Sequence, residues 1–251
     1  MSGHSKWAQI KRQKGVADAR RGQLFTKLAR EIIVAVREGG SNPEANFRLR
    51  LAIQKARDSN MPLDNIERAI KRGSGQTEGA SLAEMVLEGY GPNGVAIMVQ
   101  ALSDNRNRTL QDVRNIFYRH GGNLGESGCV SWLFDSRGVI TVDTNTQDAE
   151  QLALEAIDAG AEDVKIEKKY IEIYTKPEEL EKVREALKQK KIPIASAELS
   201  MVPKTMVQLE EKAALQTLKL LDKLEELDEV QLISSNVDFS DAILEKYQSG
   251  A

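Results

Sequence analysis

The sequence contains few of the residues from which metal and catalytic sites are built. One cysteine, Cys129, excludes an intramolecular disulfide and a cysteine-rich zinc site. Two histidines, His4 and His120, leave little material for a metal centre or a catalytic triad. We therefore expect neither a metal nor a cofactor, and a protein of a reducing compartment.

Long apolar runs are also missing. No run approaches the roughly 20 residues that a membrane span needs. The polar, basic N-terminus lacks the apolar core of a secretory signal. We therefore expect a cytoplasmic protein with no membrane partner.

Catalytic motifs are absent as well. The phosphate-loop motif GxxxxGK[ST] does not occur. The Gly-rich stretch Gly121–Gly128 lies between a predicted helix and a predicted strand, whereas a dinucleotide-binding loop follows a strand and precedes a helix. We interpret it as a tight connection, with a contact loop as the alternative. Cys129 is interpreted as a strand thiol rather than a nucleophile, and no pair of carboxylates has a partnering His or Lys, so the sequence does not predict an enzyme.

The net charge of −3 is divided unevenly along the chain. Residues 1–76 contain 16 Lys and Arg against 7 Asp and Glu, a local net charge of +9. The remaining residues contain 19 basic and 31 acidic side chains, a net charge of −12. This asymmetry is typical of a basic module that meets a polyanion and is attached to an acidic body. A helical domain with a solvated charged face is the alternative.

Helical periodicity dominates the basic part of the chain, which ends in a Gly-rich linker near residues 73–80. The pattern predicts three helices. The first ends at Gly39, the second begins after the N-cap Asn42 and ends near Ser59, and the third runs from Pro62 to the C-cap Gly73. Short connections between them predict a small bundle.

Helices and strands alternate after the linker. The predicted strands are 95–101, 129–134, 139–142, two around residues 168–169, 194–201, 206–209 and 230–234, and the predicted helices are 109–119, 148–159, 177–190 and 210–227. Residues 138–201 follow the ferredoxin-like order β-α-β-β-α-β, and the flanking segments each read β-α-β. We therefore predict an α+β fold, in which an N-terminal three-helix bundle is followed by two ferredoxin-like α/β units, the second inserted into the first. One continuous open sheet is the alternative.

This topology predicts three domains. They are a basic helical nucleic-acid-binding domain (1–76), an outer α/β domain (80–136 with 203–240) and an inserted ferredoxin-like domain (137–202). The segment Ser200–Met206, where the chain returns from the insertion, is interpreted as a linker, with a contact loop as the alternative.

Candidate nucleic-acid-binding residues lie mainly in the basic module. Cationic side chains neutralise phosphates and release counterions, and Trp7 could stack on an exposed base or pack on the bundle. The candidates are Lys6, Trp7, Lys11, Arg12, Lys14, Arg20, Arg21, Lys27, Arg30, Lys55, Arg57, Arg68, Lys71 and Arg72. Arg106 and Arg108 lie at a strand-to-helix junction suited to phosphate. Equally, the neighbouring Asp and Asn suit a helix cap there.

Several stretches together resemble one family. They are Gly3-His-Ser-Lys-Trp7 with Lys11 and Lys14, Arg21–Leu28, Asn60–Pro62, Ile66–Ile70, Glu88–Pro92, Asp104–Thr109 and Gly121–Gly125. They resemble the YebC/PmpR family of probable transcriptional regulators, which includes mitochondrial translational activators of cytochrome oxidase.

The resemblance implies a helical domain, two α/β domains and no known catalytic activity. Some family members look like DNA-binding transcriptional regulators, and others look like translation factors that act at the ribosome. Carried over to this sequence, the positions expected to touch nucleic acid are His4, Ser5, Lys6, Trp7, Lys11 and Lys14, with Arg106 and Arg108 as weaker candidates.

These observations lead to one functional hypothesis. The chain is expected to be a non-catalytic nucleic-acid-binding regulator of gene expression, a monomer or weak oligomer. Its partner would be duplex DNA, or ribosomal or messenger RNA, including the ribosome itself. A protein-interaction adaptor whose basic domain binds an acidic protein is the alternative.

The N-terminal arm offers a direct test. Replacing Lys6, Lys11 and Lys14 together with Ala should weaken nucleic-acid binding without unfolding the chain, because exposed substitutions usually change stability by within about ±0.5 kcal/mol each. Affinity measured over a range of salt concentrations should show a slope shallower by about one per lost phosphate contact. An unchanged affinity for every nucleic acid tested would rule out the arm.

Overall fold

The computed structural model describes residues 18–75, 81–144, 148–168 and 170–249, and in residues 18–20 and 248 the backbone alone. The chain forms two compact units. One runs to Leu133 and resumes at Pro203, and the other comprises residues 134–202. The finer division into three domains stays a prediction.

The described residues form eight α-helices and ten strands. The helices are α1 (Asp18–Gly39), α2 (Phe47–Asp58), α3 (Leu63–Gly73), α4 (Arg106–Arg119), α5 (Ala149–Asp158), α6 (Leu180–Gln189), α7 (Glu211–Glu225) and α8 (Asp241–Gln248). The strands are β1 (Ala83–Tyr90), β2 (Ala96–Ser103), β3 (Asn123–Leu124), β4 (Phe134–Asp143), β5 (Asp163–Ile166), β6 (Tyr170–Thr175), β7 (Ile194–Pro203), β8 (Val207–Gln208), β9 (Val230–Ser235) and β10 (Val237–Asp238).

Helices α1, α2 and α3 share an apolar core. Leu28 and Ile32 of α1 pack with Leu49 of α2 and Ile66 of α3. Because they recur at three- and four-residue spacing within α1, the apolar side chains fall on one helix face.

Close packing of α1 against α3 explains Gly73. A Cβ atom there would lie 2.7 Å from the Cβ of Val36 and 2.9 Å from the carbonyl oxygen of Ile33. The sequence-based prediction that Gly73 is the C-cap of α3 is therefore wrong, since Ser74 is the C-cap and Gly73 allows the two helices to approach.

The N-cap of α2 is also a different residue from the predicted one. Asn46, rather than Asn42, caps the helix, and its Oδ1 accepts from the Leu49 N–H at 3.0 Å. Its Nδ2 donates to the carbonyls of Ala35 and Gly40 at 2.7 and 2.8 Å. One buried amide thus satisfies backbone groups at the end of α1 and the start of α2.

The outer α/β part is built on a four-stranded sheet in the order β3-β1-β2-β9. Strand β1 is antiparallel to β2 and β3, and β2 is antiparallel to β9. Phe117 of α4 and Leu218 of α7 join Ile97 and Val99 of β2 in one core. Both helices therefore pack on the same face of this sheet.

Residues 134–202 have the ferredoxin-like order of elements. Their sheet runs β5-β6-β4-β7, with β6 antiparallel to β4 and β5, and helices α5 and α6 cross between strands. This confirms the predicted α+β fold, with N-terminal helices followed by two α/β units, the second inserted into the first. Because the described strands form separate sheets, the single continuous sheet is wrong.

The predicted strand at residues 129–134 is also wrong. Residues Ser131–Leu133 form a 3-10 turn, and β4 begins at Phe134. The turn is held by Glu88 of β1, which is only 4% exposed. Its carboxylate accepts 2.8 Å hydrogen bonds from the backbone N–H groups of Gly128, Val130 and Ser131.

The return from the insertion lies against this turn. Lys204 donates its backbone N–H to the Leu133 carbonyl at 2.9 Å and its Nζ to the Trp132 carbonyl at 3.0 Å. These contacts favour the interpretation of Ser200–Met206 as a structural linker.

Two further properties follow from the described ranges. No helix within them is long and apolar enough to cross a membrane. Within them, no group of three or more His, Cys, Asp or Glu side chains is arranged to hold a metal ion.

Glu88 should make stability depend on pH. Burial raises the pKa of Glu88, but the three backbone hydrogen bonds together lower it by more than burial raises it. The pKa therefore lies below its ordinary value. Replacing Glu88 with Gln places an amide against backbone donors, and we expect a loss of about 1–3 kcal/mol at pH 7. Urea unfolding of both proteins measures this difference.

The sign of the pH effect follows from the lowered pKa. The contribution of Glu88 is complete above its unfolded pKa of about 4.3 and is lost as the pH falls through the lower folded pKa. The stability difference between the wild type and E88Q should therefore shrink in acid. A difference that grows in acid would contradict this account.

Candidate nucleic-acid interface

The structure describes only part of the predicted site. His4, Ser5, Lys6, Trp7, Lys11, Arg12 and Lys14 lie outside the described residues. Arg20 lies in α1, but its side chain is outside the described part. The arm therefore stays a prediction, and the geometry below concerns the other candidates.

Lys27 and Arg30 of α1 face the outer α/β part. Lys27 Nζ donates to the carbonyl oxygen of Glu225 at the end of α7. Arg30 donates to the carbonyl oxygen of Leu102 at 2.8 Å, and its guanidinium lies 3.6 Å from the Glu229 carboxylate. The Arg30 side chain is only 18% exposed. These two cations join α1 to the α/β part.

Arg108 reaches the same carboxylate from α4. Its guanidinium donates to Glu229 at 2.9 Å and to Asp104 at 2.8 Å. The first turn of α4 is already capped, because Asn105 Oδ1 accepts from the Arg108 N–H and Ser103 Oγ accepts from the Asn105 N–H. For Arg108, these contacts favour the structural alternative over phosphate binding at the helix N-terminus.

Lys55 has a partner within the helical bundle. Its Nζ lies 3.3 Å from the Glu31 carboxylate of α1. The sequence analysis gives Lys27, Arg30 and Lys55 as candidates of the basic module and Arg108 as a separate candidate at a strand-to-helix junction. The structure engages all four in intramolecular contacts.

The remaining candidates of the helical segment are exposed. Arg21, Arg57, Arg68, Lys71 and Arg72 all have exposed side chains. Arg68, Lys71 and Arg72 lie opposite the buried face of α3, which is formed by Ile66, Ala69 and Gly73. We call these three residues the α3 strip.

The α3 strip is a compact group of positive charge. Its members are spaced by three and four residues, so they are neighbours on the helix surface. Arg68 donates to Asn65 at 3.4 Å, and none of the three makes an ion pair with a carboxylate in the described residues. Lys71 and Arg72 also suit the negative end of the helix dipole.

Sequence analysis missed part of α4. Arg106 was predicted, but the exposed Arg114 and Arg119 were not. A signal was available, because the 14 residues of α4 hold four Arg and a single acidic residue. The net charge of −12 over residues 77–251 conceals this local cluster of Arg.

Cys129 does not have the environment of an activated thiol. It lies in the turn after the Gly-rich loop, rather than in a strand as predicted. Burial and the negative charge of Glu88 raise the pKa of its thiol. The thiol is therefore protonated at neutral pH, whereas a nucleophilic cysteine has a lowered pKa.

The role of Arg30 can be tested by stability. Replacing Arg30 with Ala removes a hydrogen bond and an ion pair from a site that is mostly buried, so we expect a loss of about 1–3 kcal/mol in urea unfolding. The exposed Arg57 is the matched control, and R57A should stay within about ±0.5 kcal/mol of the wild type. Equal stability of R30A and R57A would show that Arg30 does not join α1 to the α/β part.

Comparison with known proteins covers nearly the whole chain. A family model for the TACO1/YebC protein N-terminal domain matches residues 5–76. A model for the TACO1/YebC second and third domain matches residues 82–237.

Individual relatives are similar over their full length. A probable transcriptional regulatory protein from Dehalococcoides mccartyi is 61% identical over 251 residues, with 100% of both chains covered. One of the same description from Chloroflexus aggregans is 53% identical, over 99% of this chain and 100% of the other. The crystal structure of a conserved hypothetical protein from Aquifex aeolicus has a TM-score of 0.84 and 51% identity, covering 89% of this chain and 93% of that one.

The two relatives from Dehalococcoides mccartyi and Chloroflexus aggregans are similar in sequence and are named probable transcriptional regulatory proteins. The Aquifex aeolicus protein is similar in both sequence and fold. The chain belongs to the TACO1/YebC family.

Proposed function

We propose that the protein is a non-catalytic, nucleic-acid-binding regulator of gene expression. In this proposal the exposed cations of the helical segment bind the sugar-phosphate backbone. The observation that carries the proposal is the α3 strip, where three exposed cations have no carboxylate partner in the described residues. The names of the relatives, probable transcriptional regulatory proteins, support a regulatory role.

Physical chemistry favours a polyanion as the partner of this strip. Exposed cations without partners repel one another, and a phosphate backbone relieves that repulsion while releasing counterions. Arg also forms paired hydrogen bonds to phosphate oxygens. Binding of this kind depends strongly on salt and weakly on sequence.

The α3 strip can be removed without disturbing the core. We expect R68A/K71A/R72A to bind nucleic acid more weakly by about fivefold per lost phosphate contact at about 0.15 M salt. The slope of log affinity against log salt should become shallower by about one per contact. Fluorescence anisotropy with a labelled nucleic acid measures both quantities.

The matched control loses three charges elsewhere. Lys176, Lys182 and Lys188 are exposed in the inserted unit. K176A/K182A/K188A changes the net charge equally and should bind like the wild type. If both triple variants lose affinity equally, net charge rather than the α3 strip controls binding, and the proposal fails for this surface.

The nature of the nucleic acid requires a competition. Labelled wild-type protein is offered ribosomes and random duplex DNA, each as competitor for the other, at about 0.15 M salt. Non-specific DNA binding is expected near 10⁻⁴ to 10⁻⁶ M. A ribosome preference of orders of magnitude identifies a translation factor, and equal or stronger DNA binding supports a transcriptional regulator. A partner that survives nuclease treatment in a native pull-down would instead support a protein adaptor.

A further inference from the structure

Helix α4 carries positive charge in a part of the chain that is otherwise acidic. It contains Arg106, Arg108, Arg114 and Arg119 against one acidic residue, Asp112. Residues 77–251, which include it, have a net charge of −12. The charge of α4 is therefore a local reversal within the acidic body.

The positive charge lies on the outward side of the helix. Thr109, Val113 and Phe117 are buried, so the opposite side faces away from the sheet. Beyond the first turn, the exposed residues there are Gln111, Arg114, Asn115, Tyr118 and Arg119, which we call the α4 outer face. It contains two cations, two amides and an aromatic ring, and no carboxylate.

Intramolecular contacts do not account for these cations. Arg106, Arg114 and Arg119 make no ion pair with a carboxylate in the described part of the chain, whereas Arg108 makes two. Arg119 suits the helix C-terminus, but Arg106 is in the first turn, where the helix dipole disfavours a cation. The stability of α4 therefore does not explain the charge.

Neighbouring cations extend the positive region beyond α4. His120 follows the last turn, and its carbonyl accepts a hydrogen bond from Gln216 of α7 at 3.1 Å. Burial lowers the pKa of His120, and the charges of Lys223, Lys219 and Arg119 lower it further. Lys223 pairs with Glu226 at 2.7 Å, so Arg119 and Lys219 supply the positive charge near the C-terminal end of α4 that has no carboxylate partner in the described residues.

Tyr118 adds a ring to this charged surface. Its side chain is 82% exposed, which leaves the ring open to solvent. Arg114 is four residues earlier, so the ring and the guanidinium are neighbours on the helix. An exposed aromatic side chain beside cations is typical of proteins that stack an unpaired base and hold the adjoining phosphates.

We propose that the α4 outer face binds RNA at an unpaired nucleotide. Tyr118 stacks on the base, Arg114 and Arg119 bind the phosphates on either side, and the amides of Gln111 and Asn115 hydrogen-bond to base or ribose groups. RNA is favoured over duplex DNA because paired bases are stacked on one another and offer no free face to Tyr118. The proposal rests on the proposed function and adds a second surface to it.

The test compares two RNAs with the full-length protein. One is a hairpin with unpaired loop bases, and the other is a fully paired duplex of equal length. We expect Y118A to bind the hairpin more weakly by about fivefold or more and the duplex unchanged. Y118F keeps the ring and should bind both RNAs like the wild type.

The Arg side chains are tested through salt dependence. R114A/R119A should weaken binding to the hairpin and make the salt slope shallower by about two. K182A/K188A loses the same charge in the inserted unit and should leave binding unchanged. Thermal unfolding of each variant should match that of the wild type, because the replaced side chains are exposed.

The outcomes separate this proposal from the proposed function. Loss of binding in R68A/K71A/R72A with none in Y118A and R114A/R119A overturns the α4 proposal alone. Loss in the α4 variants alone supports this surface and overturns the role of the α3 strip. A wild-type preference for duplex DNA over the hairpin also overturns the α4 proposal, and absence of any nucleic-acid binding overturns both.

Discussion

The carboxylate of Glu229 connects helix α1 of the basic segment to helix α4 of the α/β part. It accepts a hydrogen bond from Arg108 of α4 and lies 3.6 Å from Arg30 of α1. Its side chain is only 14% exposed, and charge-assisted hydrogen bonds are stronger where water is largely excluded. Lys27 and Arg30 add hydrogen bonds to the backbone carbonyls of Glu225 and Leu102.

This attachment also determines which positive charges remain for a partner. Glu229 pairs with Arg30 and Arg108, and the sequence alone would assign both of these cations to a binding surface. The α3 strip and the α4 outer face are left exposed, and both lie in the same compact unit. Within the described residues, these two helices therefore each keep cations that make no ion pair with a carboxylate.

In the inserted unit, several cations pair with carboxylates of the same unit. Arg184 pairs with Glu181 at 2.8 Å, and Arg137 lies 3.3 Å from Glu162. Lys182 pairs with Glu179 at 2.8 Å. Because these three cations have neighbouring carboxylates, they offer less free positive charge to a polyanion than the cations of the α3 strip and the α4 outer face do.

Local patterns in the sequence determined most of the fold. Apolar spacing placed the helices, turn residues separated the strands, and the order of elements predicted the inserted ferredoxin-like unit. Besides the two helix caps, the sequence analysis did not predict β1, β3, β10 or α8, and it placed a strand where residues 131–133 form a turn. A carboxylate in a strand normally faces solvent, so nothing local indicated that Glu88 is buried and holds this turn.

Local charge likewise indicated a basic module, but the sequence could not say which cations are free. Arg30 and Glu229 are separated by 199 positions, and their pairing depends on how the whole unit folds. The same holds for Gly73, whose role appears only when α1 lies against α3. Periodicity and charge density are properties of neighbouring residues, and the sequence determined them. The tertiary structure alone decided which charged groups meet, because contacts between distant residues form only when the chain has packed.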